Sequence, residues 1–496
     1  MLAERRLPAG ALVLALLLPA CAINPVTQRP EMVLTSVATE RETGQQDAKQ
    51  IEESIGLAGD PELRDYVARL GARLARFAPE SGFAYEFKII DLVEPNAFAL
   101  PGGFVYVSRG LLALASTEDE LAAVMAHELG HVVARHSARR ATVAAPFAIL
   151  TGLTSAATGI VSAQLGRAVG GLGQLAGNLV LAPYSRDQER EADQFAVGLL
   201  GRAGWDPEAL PAMLATLERE GALRGGSSEG PQFLSSHPST PERVADTKAL
   251  AASTPRAAAG PIAPDRAAFL AYLNGLLVGD DPVEGVFVAG RFLQPELGFT
   301  LRFPPGWKTA NDREAVMALS PDERTIVGLA NAAEAGKDAD PVAAARAYGE
   351  KLAGAPFKHI EATTVGGLAA AHVLTSADTR DGRYALDLTW IAHQGRVYRV
   401  VALSPLAGFE SLRPTLTAVA QSFRSLTPGE LASVEELRLR IATVRRGESL
   451  AHLVERTGAG WSVAQTAVAN GLDESVALAD HQLVKITVRE GYRPRH

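Results

Sequence analysis

The spacing of apolar residues divides the first half of the chain into helical and strand-like segments. From Gln46 onward, apolar positions recur every three or four residues, which predicts amphipathic helices. Residues 83–93 and 96–107 alternate between apolar and polar positions in the manner of strands. Thr117 opens a capping-box pattern, so a longer helix is predicted to begin there. This order predicts a mainly α-helical domain with a small β-sheet over residues 46–252.

The second half of the chain changes character twice. Residues 253–264 are rich in Pro, Ala and Gly and predict a linker. Residues 265–427 alternate strand-like stretches with short helical segments, which predicts an α+β domain of unknown role. A second linker is predicted over residues 428–439, and residues 440–490 predict a small β-α-α-β module. The expected fold class is therefore multidomain.

The stretch 143–163 contains no charged residue and raises the question of a membrane span. Pro146, Gly152 and Gly159 dilute its apolar character, and Arg167 follows soon after. We therefore interpret it as a helical hairpin that packs on the neighbouring domain or touches a membrane or partner surface. A true membrane span is the alternative.

The first 21 residues have the features of a processing segment rather than of a fold. Two arginines precede an apolar run, as in a signal peptide. The run ends in Leu18-Pro19-Ala20-Cys21, which resembles the bacterial lipobox and implies that the Cys21 sulfur carries a lipid. An ordinary secretory signal is the alternative. Residues 22–45 are polar and turn-rich, which predicts a tether between the lipid and the folded body.

Composition narrows the compartment and the partners. Cys21 is the only cysteine among 496 residues, so an internal disulfide is excluded. Ala22 rather than Asp follows it, and the resemblance to sorted lipoproteins then implies a periplasmic protein anchored to the outer membrane. The length predicts two to four domains. A net charge of -8 offers no broad positive field, so nucleic acid is not expected as a partner.

The segment His127-Glu128-Leu129-Gly130-His131 carries the strongest chemical signal. Its two histidines are four residues apart and lie on one face of the predicted helix, so both imidazoles can reach one metal ion. Glu128 lies next to them around the helix and is placed to contact a metal-bound water as general base. A structural helix with incidental histidines is the alternative. A hydrolytic zinc site needs a third protein ligand and one open position.

A second acidic segment, Ser185-Arg186-Asp187-Gln188-Glu189-Arg190-Glu191-Ala192-Asp193, follows downstream. Ser185 and Gln188 again have capping-box spacing, which predicts a helix with acidic residues in its first turns. Acidic first turns are also common on solvated helices, so the pattern by itself leaves that alternative open.

Three segments, HELGH, SRDQEREAD and NAFALPGG, together resemble the gluzincin family of HtpX, BepA and the CAAX prenyl protease, over roughly residues 46–250. The resemblance implies a zincin-type fold and one zinc ion bound by His127, His131 and Glu189. It also implies a soluble, lipid-anchored endopeptidase that acts on envelope proteins, because the lipobox does not fit the multi-spanning prenyl proteases.

Helical geometry separates the three acids that end this acidic segment. Glu189 and Asp193 are four residues apart and share a face, whereas Glu191 is turned roughly 200° away. Glutamate has the longer reach toward a metal on another helix, which favours Glu189 as the ligand. Asp193 is predicted to accept a ring N–H from His127 or His131 and so to fix its tautomer. Glu191 is predicted to be a solvent-side charge.

Two further sites follow from the resemblance. Asn96, Ala97 and Phe98 resemble the family's edge strand, where a substrate backbone pairs by β-augmentation, and a plain hairpin turn is the alternative. His237 matches the family's His-Pro motif and is expected either to stabilise an oxyanion as a catalytic residue or to reach the zinc in a closed resting form. A plain loop histidine is the alternative. Arg243 is expected to hold the acidic cluster if it faces the site.

Two later segments carry weaker resemblances. The segment GFTLRFPPGW resembles small envelope domains of the photosystem PsbP type. Gly447-Glu448-Ser449-Leu450 and Asn470-Gly471-Leu472 resemble a LysM module, which binds N-acetylglucosamine polymers such as peptidoglycan. Asp480-His481-Gln482 stands where that family prefers Pro-Gly-Gln, so sugar binding is left open.

The expected function is a zinc-dependent endopeptidase of the cell envelope that degrades misfolded or misassembled envelope proteins by metal-activated water attack on the peptide bond. The alternative is an envelope binding or chaperone-like protein anchored to peptidoglycan, in which proteolysis is minor. Zinc-dependent peptidoglycan cleavage is suggested only by the last module.

Overall fold

The computed structural model describes residues 21–140, 142, 183–225, 233–311, 313, 315–332, 340–353, 357–379 and 382–494. Their helices are α1 (Val37–Ser54), α2 (Pro61–Phe77), α3 (Arg109–Leu114), α4 (Glu118–Val133), α5 (Arg186–Ala203), α6 (Ala209–Leu223), α7 (Phe233–Ser236), α8 (Pro241–Ser253), α9 (Arg266–Leu273), α10 (Pro341–Ala353), α11 (Phe409–Gln421), α12 (Pro428–Ala432), α13 (Leu450–Thr457) and α14 (Val463–Ala469).

Their strands are β1 (Cys21–Ile23), β2 (Pro30–Met32), β3 (Glu86–Ile90), β4 (Ala97–Leu100), β5 (Phe104–Ser108), β6 (Val286–Val288), β7 (Arg291–Gln294), β8 (Phe299–Arg302), β9 (Lys308–Asn311), β10 (Ala315–Leu319), β11 (Ile326–Asn331), β12 (Glu361–Val365), β13 (Leu368–Thr379), β14 (Gly382–His393), β15 (Arg396–Pro405), β16 (Arg424–Ser425), β17 (Glu435–Thr443) and β18 (Leu483–Gly491). The signal segment before Cys21 and the stretch 143–163 lie outside the described residues.

The chain forms two compact units. The first comprises the described residues within 21–142, 183–278 and 438–488, and the second comprises those within 279–437 and 489–494. The multidomain architecture of helices and several sheets that the sequence predicts is confirmed. Among the described residues, the helices are too short or too polar to cross a membrane.

The first unit contains a three-stranded sheet with the order β3-β5-β4. Strands β3 and β5 are parallel, and β4 forms an antiparallel hairpin with β5 at one edge. Gly102 and Gly103 close this hairpin with φ values of 82° and 109°, which residues with a side chain rarely adopt. Helix α4 packs against β4, so the edge strand lies beside the helix that carries the predicted metal ligands.

Helices α4 and α5 pack closely because a glycine lies where they cross. A Cβ atom on Gly130 would lie 3.1 Å from the ring of Phe195 and 3.2 Å from Ala192, closer than ordinary contacts. Both helices begin with the predicted side-chain caps, since Thr117 accepts a hydrogen bond from the Glu120 amide and Ser185 takes part in a capping box. The close crossing brings the first turns of α5 to the HELGH segment.

Residues of the predicted linker 253–264 pack against the first unit. The amides of Ile262 and Ala263 each donate to the buried carboxylate of Glu118 at 2.5 Å. The same carboxylate accepts a hydrogen bond from the Tyr66 hydroxyl at 2.6 Å. The first unit therefore continues beyond this segment as far as Val278, and the chain returns to it at Arg438.

The C-terminal part of the first unit has the strand, helix, helix, strand order predicted for residues 440–490. It packs on the body of the unit through the fully buried Lys485. The Nζ atom of Lys485 donates to the carbonyl oxygens of Ala113, Leu114 and Ala115 at 2.8, 3.0 and 2.6 Å. This ammonium caps the C-terminal end of α3, as cations do at helix ends.

The second unit is built on a seven-stranded sheet with the order β12-β13-β14-β15-β11-β10-β9 and a four-stranded sheet with the order β16-β8-β7-β6. The seven-stranded sheet carries apolar clusters around Phe423 and Trp390, with α10 packed against β13 and β14. The histidines of the second unit do not form a metal cluster in the part of the chain that the structure describes. The second unit combines helices and sheets, as expected of the predicted α+β domain 265–427, but residues 265–278 of that range belong to the first unit.

Candidate metal centre

The HELGH segment lies in the last two turns of α4, which is buried over most of its length. His127 and Glu128 are completely buried, and His131 is 2% exposed. Such burial of three polar side chains is costly unless they have partners. The partners come from α5 and from the segment that follows α7.

Four side chains place one ligand atom each around a common point: His127, His131, Glu189 and His237. The Nε2 atoms of His127 and His131 are 3.1 Å apart, and the Glu189 carboxylate oxygens lie 3.5 and 3.4 Å from them. The Nδ1 atom of His237 lies 3.3 Å from His127 Nε2 and 2.9 Å from Glu189 Oε1. A zinc ion bound at about 2.0–2.1 Å separates its tetrahedral ligand atoms by about 3.3 Å. The donor set and its spacing therefore fit zinc.

The formal charges of the buried cluster also fit a divalent cation. Glu128, Glu189 and Asp193 are carboxylates, and Arg243 is the buried cation that faces them. With the histidines neutral, as metal binding requires, these formal charges leave a surplus of two negative charges in a region from which water is largely excluded. A bound Zn²⁺ ion would neutralise this surplus.

Asp193 and Arg243 hold the metal-facing residues in place. Asp193 Oδ1 lies 2.9 Å from His127 Nδ1, so it is the predicted partner of a ligand histidine. Arg243 donates from Nε and Nη2 to Asp193 at 2.6 and 2.8 Å, and its Nη1 lies 2.5 Å from Glu189 Oε2. One guanidinium thus contacts both carboxylates that α5 contributes to the site.

Burial and neighbouring charges shift the pKa values of these groups in different directions. Burial raises the pKa of Glu128, whose carboxylate oxygens have no hydrogen-bond partner among the described residues. Burial opposes the charged form of His127, but hydrogen bonds to Asp193 and Glu189 raise its pKa to about 9. Burial lowers the pKa of His131. A carboxylate without a partner beside a metal cluster suits a group that receives a proton from water.

His237 closes the cluster from the opposite side. Its ring stacks on Phe233, with 4.4 Å between the ring centroids, and its Nε2 atom lies 3.3 Å from Glu128 Oε1. Its amide donates to the Phe233 carbonyl oxygen at 2.8 Å. The sequence predicted that His237 stabilises an oxyanion or reaches the zinc in a closed form, with a plain loop histidine as the alternative, and in the structure its ring contributes one of the four clustered donor atoms.

The predicted substrate strand lies next to this region. Ala97 and Phe98 begin the edge strand β4, which Asn96 immediately precedes, and the Phe233 amide donates to the Pro95 carbonyl oxygen at 3.1 Å. The Asn96 side chain is 1% exposed, and neither of its polar atoms has a hydrogen-bond partner in the described part of the chain. The segment forms one arm of a hairpin at the edge of the sheet, and its pairing with a substrate backbone stays a prediction. Cys21 lies in β1 and is not part of the cluster.

The prediction that Glu191 is a solvent-side charge is wrong. Glu191 is 8% exposed and lies between Arg139, His136 and Asn24, because the N-terminal segment and the residues after α4 cover that face of α5. His136 was missed by the sequence analysis. It follows a left-handed turn after the helix end, so helical periodicity carries no signal for it.

Comparison with known proteins agrees with this geometry. The model of peptidase family M48 matches residues 61–251. The beta-barrel assembly-enhancing protease of Escherichia coli (strain K12) is 34% identical over 216 residues, which cover 43% of this chain and 44% of that protein. The mitochondrial metalloendopeptidase OMA1 of Schizosaccharomyces pombe is 32% identical over 231 residues, which cover 44% of this chain and 63% of that protein.

The chain thus spans less than two thirds of the length of these curated relatives. The solution structure of cyanobacterial PsbP from Synechocystis sp. PCC 6803 is 12% identical, covers 30% of this chain and 99% of that chain, and has a TM-score of 0.21. At that score the PsbP resemblance stays a prediction, as does the LysM-like module. Residues 61–251 are thus similar to peptidase family M48, and this part of the chain contains the cluster of His127, His131, Glu189 and His237 whose donor atoms are spaced for zinc.

Proposed function

We propose that the chain is a zinc-dependent endopeptidase of the cell envelope that cleaves misfolded or misassembled envelope proteins. The observation that carries this proposal is the position of Glu128. Its buried carboxylate, without a hydrogen-bond partner among the described residues, lies beside four donor atoms spaced for zinc. The names of the relatives support the substrate class, because the protein from Escherichia coli is named as an assembly-enhancing protease of beta-barrels.

A zinc ion held by these residues would supply a Lewis acid that activates the attacking water. We propose that His127, His131 and Glu189 hold it, and that Glu128 takes the proton of the attacking water and passes it to the leaving amine. Asp193 keeps His127 in the tautomer whose Nε2 faces the metal.

His237 completes a set of four protein donors, whereas a hydrolytic zinc site keeps one position open. We propose that this arrangement is a closed resting form and that His237 leaves the fourth position when substrate binds. Once displaced, its ring is placed to donate to the oxyanion of the tetrahedral intermediate. The substrate backbone would then pair with the edge strand at Asn96, Ala97 and Phe98.

We propose that lipid on Cys21 anchors the protein to the periplasmic side of the outer membrane. Sugar binding by the C-terminal module stays a prediction. Its Asn470 and Leu472 accept hydrogen bonds from Arg266 and Arg219 of the first unit's body. Anchoring to peptidoglycan belongs to the alternative function, a chaperone-like binding protein in which proteolysis is minor.

The test compares Glu128→Gln with the wild type and with Glu474→Gln, an exposed control. We expect Glu128→Gln to keep zinc and to lose casein cleavage by a factor of about 100 or more, because the amide keeps the shape but cannot accept the proton. Chelation should abolish cleavage by the wild type, and zinc should restore it.

Two outcomes would contradict the proposal. Wild-type turnover by a zinc-loaded Glu128→Gln variant would exclude Glu128 as the base. A zinc-loaded wild type that prevents aggregation of unfolded proteins without cleaving them would favour the chaperone-like alternative. Incubation with purified cell-wall sacculi in parallel shows whether sugar polymers are bound or cut.

A further inference from the structure

The second ring nitrogen of the ligand His131 has a partner that the mechanism above does not use. Its Nδ1 atom lies 2.7 Å from Nδ1 of His136, which is completely buried. Arg135, with a φ of 54°, turns the chain back after α4 and brings His136 beside His131. This left-handed conformation is uncommon for a residue other than glycine.

The turn is held from the N-terminal side of the chain. Arg135 donates from Nη2 to the Thr35 carbonyl oxygen at 2.7 Å and from Nε to Glu40 at 2.8 Å. Backbone strain of this kind persists only where the surrounding structure fixes it, and it is concentrated at functional sites. The position of His136 is therefore determined by the fold and not by an adaptable loop.

The far side of the His136 ring faces a fixed carboxylate. Its Nε2 atom lies 3.3 Å from Glu191 Oε2, and Arg139 Nη1 donates to the same oxygen at 3.2 Å. Asn24 donates to the other oxygen of Glu191 from its side-chain amide. The Asn24 side-chain oxygen accepts the Val26 amide at 2.8 Å, which orients the amide group.

Once a metal is bound at His131, the donor and acceptor roles of His131, His136 and Glu191 can be assigned in one way. A metal bound at Nε2 of His131 leaves the ring proton on Nδ1, which must then donate to His136 Nδ1. His136 can accept there only if its own proton is on Nε2, where it points to Glu191. A carboxylate at that end accepts without offering a competing proton.

We propose that His136 is a positioning residue for His131 and that Glu191, held by Asn24 and Arg139, fixes its tautomer. This inference rests on the proposed function, because it requires a metal at His131. His127 then contacts the carboxylate of Asp193 directly, whereas His131 reaches the carboxylate of Glu191 through the imidazole of His136. The segment just after Cys21 thereby becomes part of the support of the metal centre.

The test uses the full-length protein with three substitutions: His136→Phe, His136→Asn and the control His452→Phe, which changes an exposed histidine. Zinc affinity is measured by competition with a chromogenic chelator, and the ligand geometry is measured from the absorption bands of the cobalt-substituted protein. We expect His136→Phe to bind zinc about ten- to a hundredfold more weakly and to shift the cobalt bands. We expect His136→Asn to stay within about threefold of the wild type, because its Oδ1 replaces Nδ1 as the acceptor.

The outcomes separate this inference from the proposed function. If the wild type itself does not bind zinc, the proposed function fails. If the wild type binds zinc and His136→Phe binds it equally well, the positioning role is overturned while the function stands. If His136→Phe and His136→Asn weaken zinc equally and both lower the melting temperature of the zinc-free protein, His136 acts only by packing, and the proposal is also overturned.

Discussion

Replacing Asp193 by asparagine tests how much one buried carboxylate contributes to metal binding. Asp193 is 3% exposed and accepts from Arg243 at 2.6 and 2.8 Å, while its Oδ1 also lies 2.9 Å from His127 Nδ1. The carboxylate of Asp193 therefore faces donors on both Arg243 and His127. An asparagine side chain must turn its NH₂ group toward the donors of one of the two oxygens. With NH₂ at the Oδ2 position the bond from Arg243 Nε is lost, and with NH₂ at the Oδ1 position the contacts of both Arg243 Nη2 and His127 Nδ1 are lost.

The expected cost has two parts. Loss of the carboxylate partner of a ligand histidine weakens metal binding by about ten- to a hundredfold, or roughly 1.4 to 2.7 kcal/mol. The substitution also removes one of the three carboxylate charges around Arg243, so a divalent cation would leave the buried cluster with a net positive charge. We therefore expect Asp193→Asn to lie near the upper end of this range.

The assay is competition for zinc with a chromogenic chelator at fixed pH and ionic strength. Asp187→Asn is the matched control, because Asp187 lies on the same helix with 95% of its side chain exposed. It should bind zinc as the wild type does. If Asp193→Asn keeps its zinc affinity within about twofold of the wild type, the reasoning that Asp193 strengthens zinc binding through His127 is refuted.

Three further predictions concern other parts of the chain. Glu189→Ala should lose zinc nearly completely in metal analysis, and a loaded variant would mean that another acid is the ligand. Lys485→Met should lower the free energy of unfolding measured with urea, because the carbonyl oxygens of residues 113–115 lose their partner. The expected loss is about 1–3 kcal/mol for each carbonyl oxygen left unpaired. An unchanged midpoint of the urea transition would contradict the capping role of Lys485. The hydrogen bond to Asp387 raises the pKa of His372 above 6.5, so its stabilisation is complete below that pH and is lost as pH rises through the raised pKa. His372→Gln should remove this pH dependence from urea melts, and an unaltered profile would exclude the pair as its source.

The corrected position of Glu191 shows where helical periodicity stops being informative. The spacing of residues along α5 gives the angle at which Glu191 leaves the helix, and that angle is indeed different from the angle of Glu189. It does not say whether another segment covers that face. Asn24 and Arg139 cover it here, and both are far from Glu191 in the sequence.

The sequence by itself determined the local features of the metal centre. The i, i+4 spacing put His127 and His131 on one helix face, and the caps at Thr117 and Ser185 set where the two helices begin, because these features depend only on neighbouring residues. Helical angle likewise separated Glu189 and Asp193 from Glu191, and the longer reach of glutamate favoured Glu189 over Asp193.

Only the tertiary structure decided which distant groups meet at this centre. His237 reaches the fourth donor position, Arg243 joins the two carboxylates of α5, and Lys485 ties the C-terminal module to the first unit. Such contacts depend on how the helices cross and on which distant segments pack against them. At Gly130, for example, the absence of a side chain lets α4 and α5 approach closely. Periodicity records the face that a residue occupies, whereas packing decides what lies opposite that face.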